Sequence, residues 1–117
     1  MSLRKHLSRL EQGGHLIRVT APISKTYSIA GVLKKLEPTP VLFEQVIETP
    51  FRVIGNLFPS KAAFADYFGI PVSEIIPFLS RAIDQRSPCQ VVESAPCQEV
   101  VDLQPDLDRL PILRHCD

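Results

Sequence analysis

The sequence contains no long run of apolar residues. None approaches the roughly 18 consecutive apolar residues that a membrane-spanning helix needs. Near the N-terminus Arg4, Lys5 and Arg9 resemble the basic start of a secretory signal, but the leucines there are interleaved with polar residues. A signal would need an uninterrupted apolar segment instead. These absences predict a chain without a membrane span and with a cytoplasmic location.

Cysteine is also scarce. The chain has three cysteines, Cys89, Cys97 and Cys116, at spacings that fit neither a CxxC pair nor a zinc knuckle. An odd number of thiols is typical of a reducing compartment, where disulfides rarely persist. We therefore interpret the cysteines as packing residues.

The motifs that usually hold phosphates or metals are missing as well. Gly13-Gly14 follows a predicted helix, whereas the dinucleotide-binding glycines precede one. His115, Cys116 and Asp117 are consecutive, so their side chains point in different directions, and zinc sites need spaced ligands. We therefore assign no catalytic, cofactor-binding or metal-ligating residue to this chain.

A few other polar residues are candidates for a function. Glu44 and Glu99 lie in predicted strands, and paired-carboxylate catalysis would require them to face one cleft, so solvent-facing positions are the favoured interpretation. His6 and His15 have no partner at catalytic spacing, which favours surface or capping roles. For Asn56 we favour a structural role, bridging a tight turn between a strand and a helix through its own backbone.

Length and composition indicate one ordinary globular domain. The 117 residues are 44% hydrophobic and 22% charged, which is typical of folded proteins and excludes wholesale disorder. A chain of this length removes roughly two-thirds of its unfolded surface from water, so it needs neither metals nor disulfides to hold a core.

The net charge is zero, but the charges are unevenly distributed. Up to Leu36 there are seven basic residues and one acid, which gives +6, while the remainder has six basic residues and twelve acids, which gives −6. Such asymmetry marks a nucleic-acid face or a charged seam against another domain. Nucleic-acid binding has no recognised motif or interleaved aromatics to support it. The favoured interpretation is two solvated sets of charges that partly neutralise each other.

Helical periodicity and capping residues predict four helices. Pro77 falls inside the last of them, where it predicts either a kink or a separate first turn. The predicted helices are one capped by Ser2 and ended by Gly13-Gly14, one over about 26–36, one between Ser60 and Gly69, and one over about 71–83.

Strand composition occurs in five further segments, 15–20, 41–46, 51–56, 89–93 and 98–103. The second and third are close enough for an antiparallel hairpin. The element order predicts an α+β domain with a mixed or antiparallel sheet of about four to five strands, flanked by about four helices. Residues 104–117 have linker composition, with two prolines, so we predict a domain over 1–103 and the start of a linker at 104–117.

Several segments together resemble the UbiD-type decarboxylases. Pro40-Val41-Leu42-Phe43-Glu44-Gln45-Val46 is similar to the Pro-Ala-Leu-Leu-Phe-Glu-Asn segment of that family, and 50–58 is similar to its Pro-Val-x-x-Asn-Leu-Phe-Gly segment. Ala95-Pro96-Cys97-Gln98-Glu99 followed by Leu110-Pro111-Ile112 resembles the boundary between the first two domains. Asp117 stands where the family opens a Gly-rich turn into its cofactor domain.

The resemblance implies the N-terminal domain of an enzyme that performs non-oxidative decarboxylation, or its reverse, on an aromatic or α,β-unsaturated carboxylic acid. It implies prenylated flavin mononucleotide, Mn²⁺ and K⁺ in a middle domain whose motifs do not occur here. The chain alone is therefore expected to bind no cofactor and to be inactive, with the remaining domains and a homo-oligomer as partners. The alternative is a stand-alone interaction or regulatory module that binds a partner through its basic N-terminal face.

Overall fold

The computed structural model describes residues 2–116. Its elements are α1 (Leu3–Gln12), β1 (Ile17–Val19), α2 (Ser28–Lys35), β2 (Val41–Phe43), β3 (Val53–Gly55), α3 (Lys61–Phe68) and α4 (Ile75–Asp84). Short 3₁₀ turns lie at Val72–Glu74, Pro96–Gln98 and Leu107–Arg109. The predicted α+β class with four helices is confirmed.

The sheet has three strands in the order β1-β2-β3 and is mixed. β1 and β2 are parallel, with Ile17 opposite Val41, and β2 and β3 form the predicted antiparallel hairpin, with Val41 opposite Gly55. All three residues of the central strand β2 are buried. Parallel strands need a crossover connection, and the segment that contains α2 provides it between β1 and β2.

The core lies between α2 and one face of the sheet. Ile29 of α2 and Val41 and Phe43 of β2 have no exposed surface, and Val46 and Val53 complete the buried cluster. α2 approaches the sheet closely, since a Cβ added to Gly55 would lie 2.3 Å from Leu33 Cδ2. Glycine at position 55 is therefore what allows Leu33 to pack there.

The predicted helix ends are confirmed at two helices. The hydroxyl of Ser2 accepts a hydrogen bond from the Lys5 amide at 3.4 Å, and that of Ser60 accepts one from the Ala63 amide at 3.1 Å. α3 ends at Gly69, which has φ 69°, a left-handed conformation that costs glycine nothing. Pro77 lies in the first turn of α4, after the separate 3₁₀ turn Val72–Glu74. A missing N–H is tolerated in a first turn because amides there have no intrahelical partner.

The prediction of two strands, at 89–93 and at 98–103, is wrong. Residues 85–103 instead run in an extended, mostly exposed path, interrupted by the turn at Pro96–Gln98. A strand needs a neighbouring strand for its backbone N–H and C=O groups, and in residues 2–116 no strand lies beside either segment. The sheet therefore has three strands rather than four to five.

Candidate interdomain surface

The segment 107–114 returns to the core after the exposed segment 85–103, and Lys25 and Thr49 hold it there. The Lys25 ammonium donates hydrogen bonds to the backbone carbonyls of Asp108 and Leu110, the second at 3.1 Å. The buried Thr49 hydroxyl donates to the Arg109 carbonyl at 2.5 Å. The carbonyls of three consecutive residues, 108–110, are thus fixed by two side chains that lie before β3 in the sequence. We call this arrangement the Lys25–Thr49 clamp.

A short parallel bridge between Thr26 and Arg114 continues the attachment. The Tyr27 amide donates to the Arg114 carbonyl at 2.9 Å, and the Arg114 amide donates to the Lys25 carbonyl at 3.1 Å. The Arg114 guanidinium also lies over the Tyr27 ring, 5.5 Å from its centroid, a cation–π geometry. Tyr27 itself has φ 62°. Leu113, next to Arg114, packs against the core.

Between the core and the clamp the chain exposes a large apolar surface. On α4 the side chains of Ile76 and Ile83 are exposed, and farther along Val91 is 95% exposed and Leu103 88%. Isolated exposed apolar residues are normal, but a continuous set marks a surface that another partner covers. We define the apolar arm as α4 together with residues 85–103; its other exposed apolar residues are Leu79, Val92, Val100 and Val101.

Three of the seven basic residues up to Leu36, namely Arg9, Arg18 and Lys34, are paired with local carboxylates. Arg18 of β1 donates to Glu11 of α1 at 2.5 Å and 2.9 Å and also to Glu44, which follows β2. These bonds lower the pKa of Glu11 and raise that of Arg18, because a bonded partner of opposite charge favours the ionised form. Arg9 likewise pairs with Asp66 of α3 at 2.7 Å. Such pairs join α1 to the sheet and to α3.

Glu44 and Glu99 occupy different environments. Glu44 is half-buried in its ion pair with Arg18, and Glu99 is exposed at the end of the Pro96–Gln98 turn. Glu44 is thus held by an arginine, and its local geometry is that of a structural ion pair.

The prediction that His6 has a surface or capping role is wrong, because its side chain is only 1% exposed. Its ring contacts the Tyr67 ring edge-on at a centroid distance of 4.8 Å, and Nδ1 lies 3.2 Å from Arg9 Nη2. Burial, and next the positive charge of Arg9, lower the pKa of His6, while Asp66 acts in the opposite direction. The ring thus packs as a neutral aromatic group between α1 and α3. His15 is exposed.

Asn56 has a structural position, but it uses its side chain rather than only its own backbone. It adopts φ 54° directly after β3, a left-handed conformation that asparagine tolerates. Its Nδ2 donates to the Leu33 carbonyl at 2.8 Å. Since the last carbonyls of a helix lack intrahelical partners, Asn56 satisfies one of those of α2.

The described residues contain no group of three His, Cys, Asp or Glu side chains that could hold a metal ion. His115 and Cys116 are exposed, and Asp117 lies outside the described residues. Cys89, Cys97 and Cys116 are exposed free thiols, so their interpretation as packing residues is wrong within this chain. The side chains present therefore do not fit Mn²⁺, because it prefers several carboxylate or water oxygens around one point.

No single helix in residues 2–116 is long and apolar enough to cross a membrane. α3 and the segment Val72–Asp84 pass the length and composition test only as a pair, and they are bent by 84° at the break between them.

The Lys25–Thr49 clamp was not predictable from the sequence. Lys25 is one basic residue among seven in the first 36 residues, and Thr49 lies in a loop. Their acceptors are backbone carbonyls more than 55 residues away, and a carbonyl leaves no residue-specific signal in a sequence. The four exposed valines and Leu103 in 89–103 do leave a signal in the sequence, because their composition predicts strands.

The family of the chain follows from its sequence and its fold together. Residues 7–83 match the family model of the 3-octaprenyl-4-hydroxybenzoate carboxy-lyase N-terminal domain. Because this match covers more than half of the chain, the chain belongs to the family of N-terminal domains of UbiD-type decarboxylases.

Similar proteins agree with that membership. The chain is 33% identical over 115 residues to the anhydromevalonate phosphate decarboxylase of Methanosarcina mazei, covering 98% of this chain and 26% of the relative. Its fold superposes with a TM-score of 0.85 on an evolved dimeric form of the UbiD-class enzyme HmfF from Pelotomaculum thermopropionicum in complex with prFMN, at 30% identity over 99% of this chain and 28% of that one. The vanillic acid decarboxylase of Sedimentibacter hydroxybenzoicus gives a TM-score of 0.73 at 29% identity, covering 98% of this chain and 28% of that one. The chain thus spans about a quarter of the length of these relatives.

Proposed function

We propose that this chain is the N-terminal scaffold domain of a UbiD-like non-oxidative decarboxylase and that its apolar arm packs against the remaining domains. The observation that carries the proposal is the exposure of the arm, in which Val91, Val100 and Leu103 are each more than 80% exposed. Water-facing apolar side chains in such number are unfavourable by roughly 25 cal/mol per Å² unless they are covered.

The extended shape of the chain supports the same proposal. Its radius of gyration is 17.4 Å, whereas a compact domain of about 100 residues has about 13 Å. Nevertheless 99% of the chain superposes on 28% of HmfF, a protein about three and a half times as long. An extended arm keeps one conformation when its apolar side chains pack on a surface, and the additional length of the relatives would supply that surface.

The cofactor would be held by those other domains. HmfF was solved in complex with prFMN, and prenylated flavin with Mn²⁺ and K⁺ is what we propose for the full-length enzyme. When bound, the flavin supplies the electron sink that decarboxylation requires. Residues 2–116 contribute the fold, the clamp and the arm, and we assign no catalytic residue among them.

For the substrate class we propose an aromatic or α,β-unsaturated carboxylic acid. The named relatives include a vanillic acid decarboxylase and an anhydromevalonate phosphate decarboxylase. We further propose contacts in a homo-oligomer, supported by the dimeric form of HmfF, and a cytoplasmic location, supported by three exposed free thiols that suit a reducing compartment.

An activity assay tests whether the chain is inactive alone. The purified 117-residue chain would be incubated with prenylated flavin, Mn²⁺, K⁺ and a panel of cinnamic, hydroxybenzoic and other unsaturated acids. We expect no release of carbon dioxide above the cofactor-only control. Release that depends on this chain would contradict the scaffold assignment.

Surface variants in a full-length protein that carries this domain test the role of the arm. Val91→Lys and Leu103→Lys place charges on its two most exposed apolar positions, and Gln90→Lys adds the same charge at an exposed polar position nearby. We expect the first two to reduce soluble yield and decarboxylase activity several-fold, and Gln90→Lys to change neither. Equal behaviour of all three would instead favour the stand-alone module, for which the arm has no covering domain.

A further inference from the structure

A groove of about 490 Å³ lies between α1 and the face of the sheet that α2 does not cover. Successive side chains of a strand point to opposite faces. Val41, Phe43 and Val53 belong to the core beneath α2. Arg18, Leu42 and Ile54, which stand opposite one another in the register, therefore face the groove. Its volume lies within the range of pockets that bind small molecules, roughly 300–1,000 Å³.

The floor and walls of the groove are apolar. Leu42 and Ile54 form the floor, and Leu3, Leu7, Leu16 and Phe51 line the sides. Phe51 is 51% exposed and Leu3 45% exposed, so both lie at the opening. A ligand that covered these side chains would remove apolar surface from water, and such burial favours binding.

The opening of the groove carries an excess of positive charge. Three arginines and one carboxylate line it: Arg4, Arg18, Arg52 and Glu11. Arg18 is bonded to Glu11 and Glu44. Within residues 2–116, neither Arg4 nor Arg52 makes an ion pair. Two guanidinium groups thus remain available beside an apolar floor, and guanidinium groups bind carboxylates with paired, charge-assisted hydrogen bonds.

We propose that this groove binds a small carboxylate with an apolar body, the body lying on Leu42 and Ile54 and the carboxylate bonding to Arg4 or Arg52. The charge of the groove selects the anion over a cation, and the apolar floor selects an organic acid over an inorganic ion. This site lies wholly within the first 54 residues and does not depend on the scaffold role.

The probe is 4-phenylbutyrate. Two compounds with the same apolar body serve as comparisons: 4-phenylbutan-1-ol, which is neutral, and 4-phenylbutylamine, which is a cation. Each would be titrated into the ¹⁵N-labelled 117-residue chain and followed by two-dimensional NMR. We expect saturable shifts for the acid at amides of α1, β2 and β3, and at least fivefold weaker binding of the alcohol and the amine. Shifts centred on α4, equal binding of all three compounds, or no saturable shift would overturn the proposal.

Charge variants locate the carboxylate. Arg4→Gln and Arg52→Gln should each weaken 4-phenylbutyrate binding, the more important one by about fivefold, as expected for a solvent-accessible ion pair. Lys35→Gln is the matched control, because Lys35 is an exposed cation on α2, which packs on the opposite face of the sheet. If Lys35→Gln weakened binding as much as both arginine variants, the effect would be one of net charge and the site would be disproved.

A blocking variant tests the groove without altering its charge. Ser8 is exposed on α1 and lines the groove, so Ser8→Trp should fill it and abolish binding. Unchanged far-ultraviolet circular dichroism would establish that the variant is folded. A folded Ser8→Trp protein that binds the acid as the natural chain does would place the ligand elsewhere.

Discussion

The ammonium group of Lys25 donates a hydrogen bond to the backbone carbonyl of Leu110, which is 85 residues further along the chain, with 3.1 Å between Nζ and the oxygen. Lys25 is half-buried, and its own amide donates to Glu48 at 3.0 Å. The loop before α2 therefore contacts both the neighbouring β2–β3 loop and the C-terminal segment. Thr49, one residue after Glu48, adds the hydrogen bond to Arg109.

Removing the clamp should release the C-terminal segment without unfolding the core. Lys25→Met and Thr49→Val each delete donors to that segment, and a lost hydrogen bond of this kind costs about 1 kcal/mol. We expect trypsin to cleave after Arg109 several-fold faster in both variants. Lys35→Met, which removes an exposed lysine of α2, is the control and should leave the rate at Arg109 unchanged. Faster cleavage in the control as well would indicate general destabilisation.

Gly55→Ala should destabilise the protein by roughly 1–3 kcal/mol, the range for overpacking a core. The new Cβ would lie 2.3 Å from Leu33 Cδ2 and 2.9 Å from Leu33 Cγ, so α2 or its leucine must move. Denaturant unfolding measures the change. Gly31→Ala in α2 is the matched control, because an added Cβ there has nothing within 4 Å. It should stabilise the protein by about 0.5–1 kcal/mol through helix propensity. A neutral Gly55→Ala would show that Leu33 repacks freely.

His6 should make stability depend on pH below neutrality. Because burial lowers the pKa of His6, the unfolded chain binds the His6 proton more readily than the folded chain does. The stability that the neutral His6 ring contributes is therefore complete above the ordinary histidine pKa of about 6.5. It is lost as the pH falls from there through the lower pKa of His6 in the folded state.

His6→Phe keeps an aromatic ring against Tyr67 and removes the titrating group. Unfolding free energies at pH 7, 6 and 5 should therefore fall less steeply for His6→Phe than for the natural chain. His15→Gln removes a solvent-exposed histidine instead and should retain the natural slope. The same slope in all three proteins would contradict the role given to His6.

Ser60→Ala should shorten or fray α3. The Ser60 hydroxyl caps the Ala63 amide at 3.1 Å, and replacing an N-cap serine by alanine costs about 1 kcal/mol. Ser87→Ala is the control, since the Ser87 hydroxyl makes no hydrogen bond within residues 2–116. Thermal unfolding should separate the two variants by a few degrees, and equal midpoints would mean that the cap contributes nothing to the stability of α3.

The parts of the fold that were predictable from sequence are those specified by local signals. Ser2 and Ser60 cap helices through their own next turn, and the strand composition of 41–46 and 51–56, with a short linker between them, predicts the hairpin. The buried position of His6 was not predictable, because the residues around it, Phe58 and Tyr67, come from distant parts of the sequence. Leu3 and Leu10 lie three residues before and four residues after His6 and place it beside the apolar side of α1, but the side of a helix does not specify how deeply a ring on it is buried.

The error at 89–103 has a different cause. The segment is rich in valine, at positions Val91, Val92, Val100 and Val101, and valine is typical of strands. Such a composition indicates that a segment is suited to burial, but it does not indicate which partner buries it. In this chain those valines are mostly exposed. The groove beside α1 was invisible for a related reason, since Arg4 and Arg52 come together only when α1 lies along the sheet.

The order in which the chain is synthesised gives the clamp a further consequence. Every buried residue of the core, from Ile29 to Val53, precedes the C-terminal segment that Lys25 and Thr49 hold. Because folding during synthesis proceeds from the N-terminus, we expect the sheet and α2 to form before Lys25 and Thr49 meet their carbonyl partners. The clamp would then close last, and we expect it to be among the first contacts that local opening breaks.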